Sequence, residues 1–238
     1  MFDSKVPISC YRQIADLNSE HGISIVQHIE TGRIYLKKIM QVYNLSVFEY
    51  LYFHPVKNIP RIYAMLEENG TLTVIEEYIS GDTLQDIINI CGHLSPADVV
   101  RYATSLCDIL SALHSGEKIV IHRDIKPSNV MITEDDRLYL IDLNAARIMT
   151  ADKSRDTKLL GTEGYAAPEQ FGFGESTPLS DIFAMGSLMT ALLTGDTDAA
   201  KIPPGKLRPV IEKCLQLNPK DRYPSAAKLK NALSRIRL

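Results

Sequence analysis

His122-Arg123-Asp124-Ile125-Lys126-Pro127-Ser128-Asn129 sets a carboxylate, a lysine and an amide within eight residues. Thirteen residues after Asn129 stands a second acid, Asp142, at the end of the strand-like run 137–141. Phosphoryl transfer calls for this combination. It needs divalent metal to neutralise oxygens, a cation on the phosphates and a residue that orients the attacking hydroxyl. Taken alone, the octapeptide also fits a polar loop that caps a helix. The motifs around it decide between the two.

Composition sets the bounds. A chain of 238 residues, 45% hydrophobic and 23% charged, suits one globular domain or one domain of two lobes. A net charge of -3 without a basic stripe gives no nucleic-acid footprint. No run approaches a membrane span, and no signal-peptide pattern opens the chain. Cys10, Cys91, Cys107 and Cys214 are scattered, which argues against a zinc site or disulfide framework and for a reducing cytoplasm.

The two halves differ in texture. Up to about residue 79 the chain reads as short strands. Residues 22–26 and 33–40 flank the turn Thr31-Gly32, and 62–66 and 71–78 flank Asn69-Gly70, a strong hairpin signal. A single helix fits 46–53. Beyond Gly81 the pattern turns helical. Ser95-Pro96 starts a helix whose apolar residues Val99, Tyr102, Ala103, Leu106, Ile109, Leu110 and Leu113 recur on one face, leading to His122. Further helices fit 180–194, closed by Gly195, then 207–217 and 225–233. This predicts an α+β architecture of two lobes, a small β-rich N-lobe (about 1–79) and a larger α-helical C-lobe (about 84–238), with a hinge near 77–83.

Along nearly the whole chain the motifs resemble, in order, those of eukaryotic-like Ser/Thr protein kinases. The stretch Gly161-Thr162-Glu163-Gly164-Tyr165-Ala166-Ala167-Pro168-Glu169 resembles the end of the activation segment, and its continuation is similar to that of bacterial members. The resemblance implies one two-lobed kinase domain over 1–238, using ATP and Mg²⁺ to phosphorylate Ser/Thr in protein substrates. By that likeness Asp124 accepts the substrate hydroxyl's hydrogen bond and Lys126 steadies the γ-phosphate. Asn129 and Asp142 take the metal. Lys37, in Ile34-Tyr35-Leu36-Lys37, takes the place of the strand lysine on the α- and β-phosphates. Lys38 is its rival, and the apolar residues align with Lys37. Glu49, the only acid of the first helix, is assigned as the lysine's partner. The backbone of Glu77 and Tyr78 is expected at adenine, with Thr83 near the ribose. Thr162 matches the threonine that bridges the catalytic aspartate and lysine. Glu169 with Arg222, and Asp181 on the catalytic-loop backbone, match structural pairings.

Three departures stand out. Anchored on Val26, the glycine positions of the phosphate loop hold Ser19, His21 and Ser24, with Gly22 out of phase. The metal triplet reads Asp142-Leu143-Asn144, where Asn144 is expected to take glycine's left-handed backbone. Glu76 stands where an apolar residue or threonine is usual, and a carboxylate there requires a partner. It is expected to pair with Lys37 or to replace Glu49. Arg123 and Arg147 form an expected clamp for a phosphate on Thr157. The alternative function is a pseudokinase or weak nucleotide-binding scaffold. A small-molecule kinase is disfavoured by residues 161–169 and Arg222.

Overall fold

The computed structural model describes residues 7–149, 161–172 and 174–237. Residues 1–80 and 81–238 form two compact units.

In the first unit, β1 (Tyr11–Asn18), β2 (Ile23–His28) and β3 (Ile34–Met40) precede α1 (Leu45–Phe53), β4 (Ile62–Glu68) and β5 (Thr71–Glu77). The strands make one antiparallel sheet in the order β1-β2-β3-β5-β4. Asn69 and Gly70, both at positive φ (51° and 75°), form the β4–β5 turn, the conformation that Asn-Gly hairpins favour. β1 has no counterpart in the sequence pattern. Nearly all its residues are exposed and it carries two register irregularities against β2, so no alternation marks it. One face of the sheet buries Val26, Tyr35, Ala64 and Ile75. Because side chains alternate along a strand, Leu36 and Lys38 of β3 lie on the opposite face from Tyr35 and Lys37.

Gly22 is needed for packing. It sits at φ 64°, its carbonyl accepts from Ile39 N–H at 3.0 Å, and a Cβ on it would meet the Ile39 carbonyl oxygen at 2.8 Å.

In the second unit come β6 (Gly81–Thr83), α2 (Leu84–Cys91), α3 (Pro96–Leu113), β7 (Val120–Ile121), β8 (Val130–Thr133), β9 (Leu138–Leu140) and β10 (Arg147–Ile148), then α4 (Pro178–Thr194), α5 (Arg208–Cys214) and α6 (Ala226–Leu233). Ser95 caps α3 by accepting from Asp98 N–H, and Pro96 fills the first turn. The α3 stripe packs against α6 and α4. Each fully buried Leu or Ile in it contributes about 1.5–3 kcal/mol of transfer free energy. α4 is buried around most of its circumference and ends at Gly195 (φ 73°). Two short sheets position the site: β8 pairs with β6 and β9, and β7 pairs with β10.

Candidate active site

Asp124 lies between β7 and a single 3-10 turn, Pro127–Asn129, that runs into β8. Its Oδ1 accepts from Thr162 Oγ1 at 2.7 Å, and its Oδ2 meets Lys126 Nζ at 2.8 Å and Asn129 Nδ2 at 2.9 Å. Lys126 Nζ also donates to Thr162 Oγ1 at 2.8 Å, which closes a ring of Asp124, Lys126 and Thr162. Burial pushes the Asp124 carboxyl up, but hydrogen bonds from Lys126 and Thr162 outweigh it and hold the group below its ordinary value. The acid is a carboxylate at neutral pH.

Thr162 is placed by its neighbour. Gly161 adopts φ 150°, and a Cβ there would lie 2.5 Å from that of Ala166. Asn129 donates again through Nδ2, to the Asp124 carbonyl at 2.8 Å. With its nitrogen spent on Asp124, its amide oxygen is the atom that remains for a cation. Val130 pairs with Leu140, and Ile141 N–H donates to the Asn129 carbonyl at 2.9 Å, so the β8–β9 ladder carries Asp142 to the same end as Asn129.

The loop backbone is strained and then secured. Arg123 has φ 70°, a conformation costing a non-glycine residue about 1–2 kcal/mol. Asp181, fully buried near the start of α4, accepts from Arg123 N–H at 2.8 Å and His122 N–H at 3.0 Å. Hydrogen bonds to a charged group are worth about 1.5–3 kcal/mol each, so the pair exceeds the strain. His114 Nε2 lies 2.8 Å from the same carboxylate. Burial raises the Asp181 carboxyl, and His114, with the His122 side chain and the Arg123 amide, brings it below its ordinary value. Gln170 Nε2 donates to the Arg123 carbonyl at 2.8 Å. Neither His114 nor Gln170 stood out in the sequence. His114 closes an apolar helix 67 residues from its partner, and Gln170 looks like an ordinary polar residue after Glu169.

Behind the loop, Arg222 holds Glu169 bidentately at 2.7 and 2.9 Å, with Ser180 Oγ on the same carboxylate at 2.8 Å. Glu169 and Arg222 are both buried, and the remaining guanidinium hydrogens go to carbonyls of Leu179, Gln216 and Leu217.

In the first unit the structure shifts the lysine by one residue. Lys38, not Lys37, forms the buried ion pair, with Nζ 2.7 Å from Glu76 Oε1. Their side chains are only 9% and 5% exposed. Lys37 is half-buried on the face of Tyr35 and Ile75, and it makes no ion pair among the described residues. A one-residue shift along a strand exchanges faces, which an alignment of apolar residues around two adjacent lysines does not resolve. Glu49 is half-buried in α1 and likewise makes no ion pair among the described residues, so the pairing expected for it with Lys37 is absent. Glu76 does pair with a lysine, but with Lys38 and not with the Lys37 expected.

One further expectation changes. Asn144 does not take a left-handed backbone; Asp142 does, at φ 65°. Asp142 Oδ1 accepts from Asn144 N–H at 3.2 Å, a local bond that makes the left-handed conformation tolerable for a short polar side chain. The Thr83 hydroxyl caps α2, accepting from Asp86 N–H and donating to the Asp86 carboxylate. Glu77 ends β5, its side chain accepting from Arg61 N–H at 3.3 Å, and Tyr78 beyond it is exposed. Thr157 lies outside the described residues; Arg147 pairs with Ile121 in the β7–β10 ladder.

Comparison with known proteins gives the site its family. The protein kinase domain family matches residues 27–206. The chain belongs to that family. Among its relatives are the serine/threonine-protein kinase B of Synechocystis, 31% identical over 205 residues, and PknB of Mycobacterium leprae, 29% identical over 189. These alignments cover 76% and 68% of this chain, and 35% and 30% of the relatives. A third, PknB of Mycolicibacterium smegmatis, is 29% identical over 195 residues, covering 71% of the chain and 31% of the relative. The chain therefore matches about a third of the length of these curated relatives. Among the described residues, no helix is long and apolar enough to cross a membrane.

Proposed function

We propose that this chain is an active protein kinase that transfers the γ-phosphate of ATP to serine and threonine hydroxyls of protein substrates. The observation that carries this is the closed cluster of Asp124, Lys126 and Thr162, with Asn129 fixed against it. A carboxylate offers about four lone-pair sites, and Thr162, Lys126 and Asn129 use three of them. One remains for the acceptor hydroxyl. Asp124 orients that hydroxyl and takes its proton as the phosphoryl group moves, while Lys126 neutralises charge on the γ-phosphate. Lys38 takes the α/β-phosphate role expected of Lys37, and the backbone at Glu77 and Tyr78 is assigned to adenine.

Asn129 and Asp142 supply an amide oxygen and a carboxylate, hard donors that fit Mg²⁺. When bound, the ion would offset phosphate charge. Four free cysteines suit a reducing cytoplasm, where we place the protein.

The test is incubation with radiolabelled ATP, Mg²⁺ and dephosphorylated casein, followed by phosphoamino-acid analysis. Label on serine and threonine, absent with Asp124→Asn, is expected. Label on neither, with folded protein that binds nucleotide, would turn the assignment to a scaffold.

A further inference from the structure

Resting on the assignment of Lys38 to the phosphates, we propose that Glu76, a residue of the sheet, is the positioning residue for that lysine, so that its setting is independent of helix α1. Protein kinases commonly hold this lysine through a glutamate on a helix, and movement of the helix then controls activity. Here the partner comes from the neighbouring strand.

The β3–β5 register explains how. Leu36 pairs with Glu76 and Lys38 with Val74, so Lys38 and Glu76 are diagonal neighbours on one face, within reach for long side chains. Each strand is hydrogen-bonded on both sides, β3 between β2 and β5, and β5 between β3 and β4. No hinge separates the two residues. The turn before β2 adds a further tie, since Ile39 N–H, next to Lys38, donates to the Gly22 carbonyl at 3.0 Å. Both charges are almost fully shielded from water, where an ionised group strongly favours a partner. The lysine is thus set once the sheet has folded. Displacing α1 would carry away Glu49, which makes no ion pair among the described residues, and would leave Lys38 where it is.

The experiment is a double-mutant cycle on the purified chain, with Lys38→Met, Glu76→Gln and the combination, beside Glu49→Gln. The readouts are kcat and KM for ATP with Mg²⁺ and casein, calorimetric binding of ADP with Mg²⁺, and the melting temperature. Misplacement of a positioned group by about 1 Å can reduce rate roughly 100-fold. Lys38→Met should therefore lose about 100-fold in kcat/KM, Glu76→Gln about 10- to 100-fold, and Glu49→Gln less than about 2-fold. In the Lys38→Met background, Glu76→Gln should remove no further activity, because its effect runs through the lysine. The combined variant should melt above Glu76→Gln, whose lysine is left buried without its carboxylate. Equal losses for Glu49→Gln and Glu76→Gln would overturn the proposal. So would a Glu76→Gln loss that repeats at full size without Lys38, which marks a structural role. Full activity in Lys38→Met beside an inactive Lys37→Met would overturn the lysine assignment itself, and the proposal with it.

Discussion

In the second unit, Asp124, Lys126, Thr162 and Asn129 share one hydrogen-bonded cluster in which the Lys126 and Asp124 side chains are still 23% and 14% exposed. In the first unit, Lys38 and Glu76 form one pair, walled into a sheet at 9% and 5% exposure. The cluster keeps acceptor capacity in reserve, at one Asp124 lone pair and at the Asn129 amide oxygen. A site that must take a hydroxyl needs that opening. The pair has a single demand, to hold a cation in one place, and burial in a ladder meets it. The two kinds of charged residue are held by different devices. The cluster is held by a strained loop on buried anchors, Asp181 and Glu169. The pair is held by strand register.

Function can be removed from the cluster without unfolding it. Asp124→Asn is expected to lower kcat about 10²- to 10⁴-fold, the range for a positioned base, with little change in melting temperature. A loss under tenfold would make Asp124 a structural residue like Asp181. Next, Arg222→Met leaves Glu169 buried without its guanidinium, and such losses destabilise by about 3–5 kcal/mol. Urea unfolding should show it, and adding Glu169→Leu should recover part of the loss. Asp181→Ala removes the carboxylate that accepts from the His122 and Arg123 backbone N–H groups, leaving the left-handed Arg123 without that tie. It should lower both stability and kcat, and protease cleavage near residue 123 should report the loosened loop. Smallest, Gly22→Ala should cost about 1–2 kcal/mol through its positive φ and the Ile39 carbonyl, with the KM for ATP nearly unchanged.

Acid should act on the anchors of the second unit. His122 is held below its ordinary 6.5 by burial. The unfolded chain therefore takes up that proton first as pH falls through 6.5, and stability declines from there. Glu169 and Asp181 have lowered values despite burial, because Arg222 and His114 favour their charged forms. Their contribution is present above the ordinary 4.5 and 3.8 and is lost as pH falls below those values. Denaturant midpoints measured between about pH 7 and pH 3 should drop in that order, and a flat profile would contradict these anchors.

Much of the second unit was legible because its motifs are local. Asp124, Lys126 and Asn129 lie within one turn and a short loop, and Ser95-Pro96 announces α3. The two-lobed texture followed from hairpin turns at Gly32 and Asn69-Gly70 against a helical stripe from Val99 to Leu113. What stayed hidden depends on partners distant in sequence or on a parity of one residue. β1 is exposed along its length and offers no alternation. Lys37 and Lys38 are adjacent, so only the observed ladder says which shares a face with Glu76. His114 meets Asp181 across 67 residues. Asp142 takes the left-handed backbone that a glycine-for-asparagine argument places at Asn144, because its own side chain bonds Asn144 N–H.

The most direct test of the central claim is the intact mass of the purified chain after incubation with ATP and Mg²⁺, beside Asp124→Asn treated identically. Phosphate added to the wild-type chain alone, mapping to serine or threonine, is the predicted result. Equal phosphate on both chains would contradict the claim that Asp124 carries the transfer.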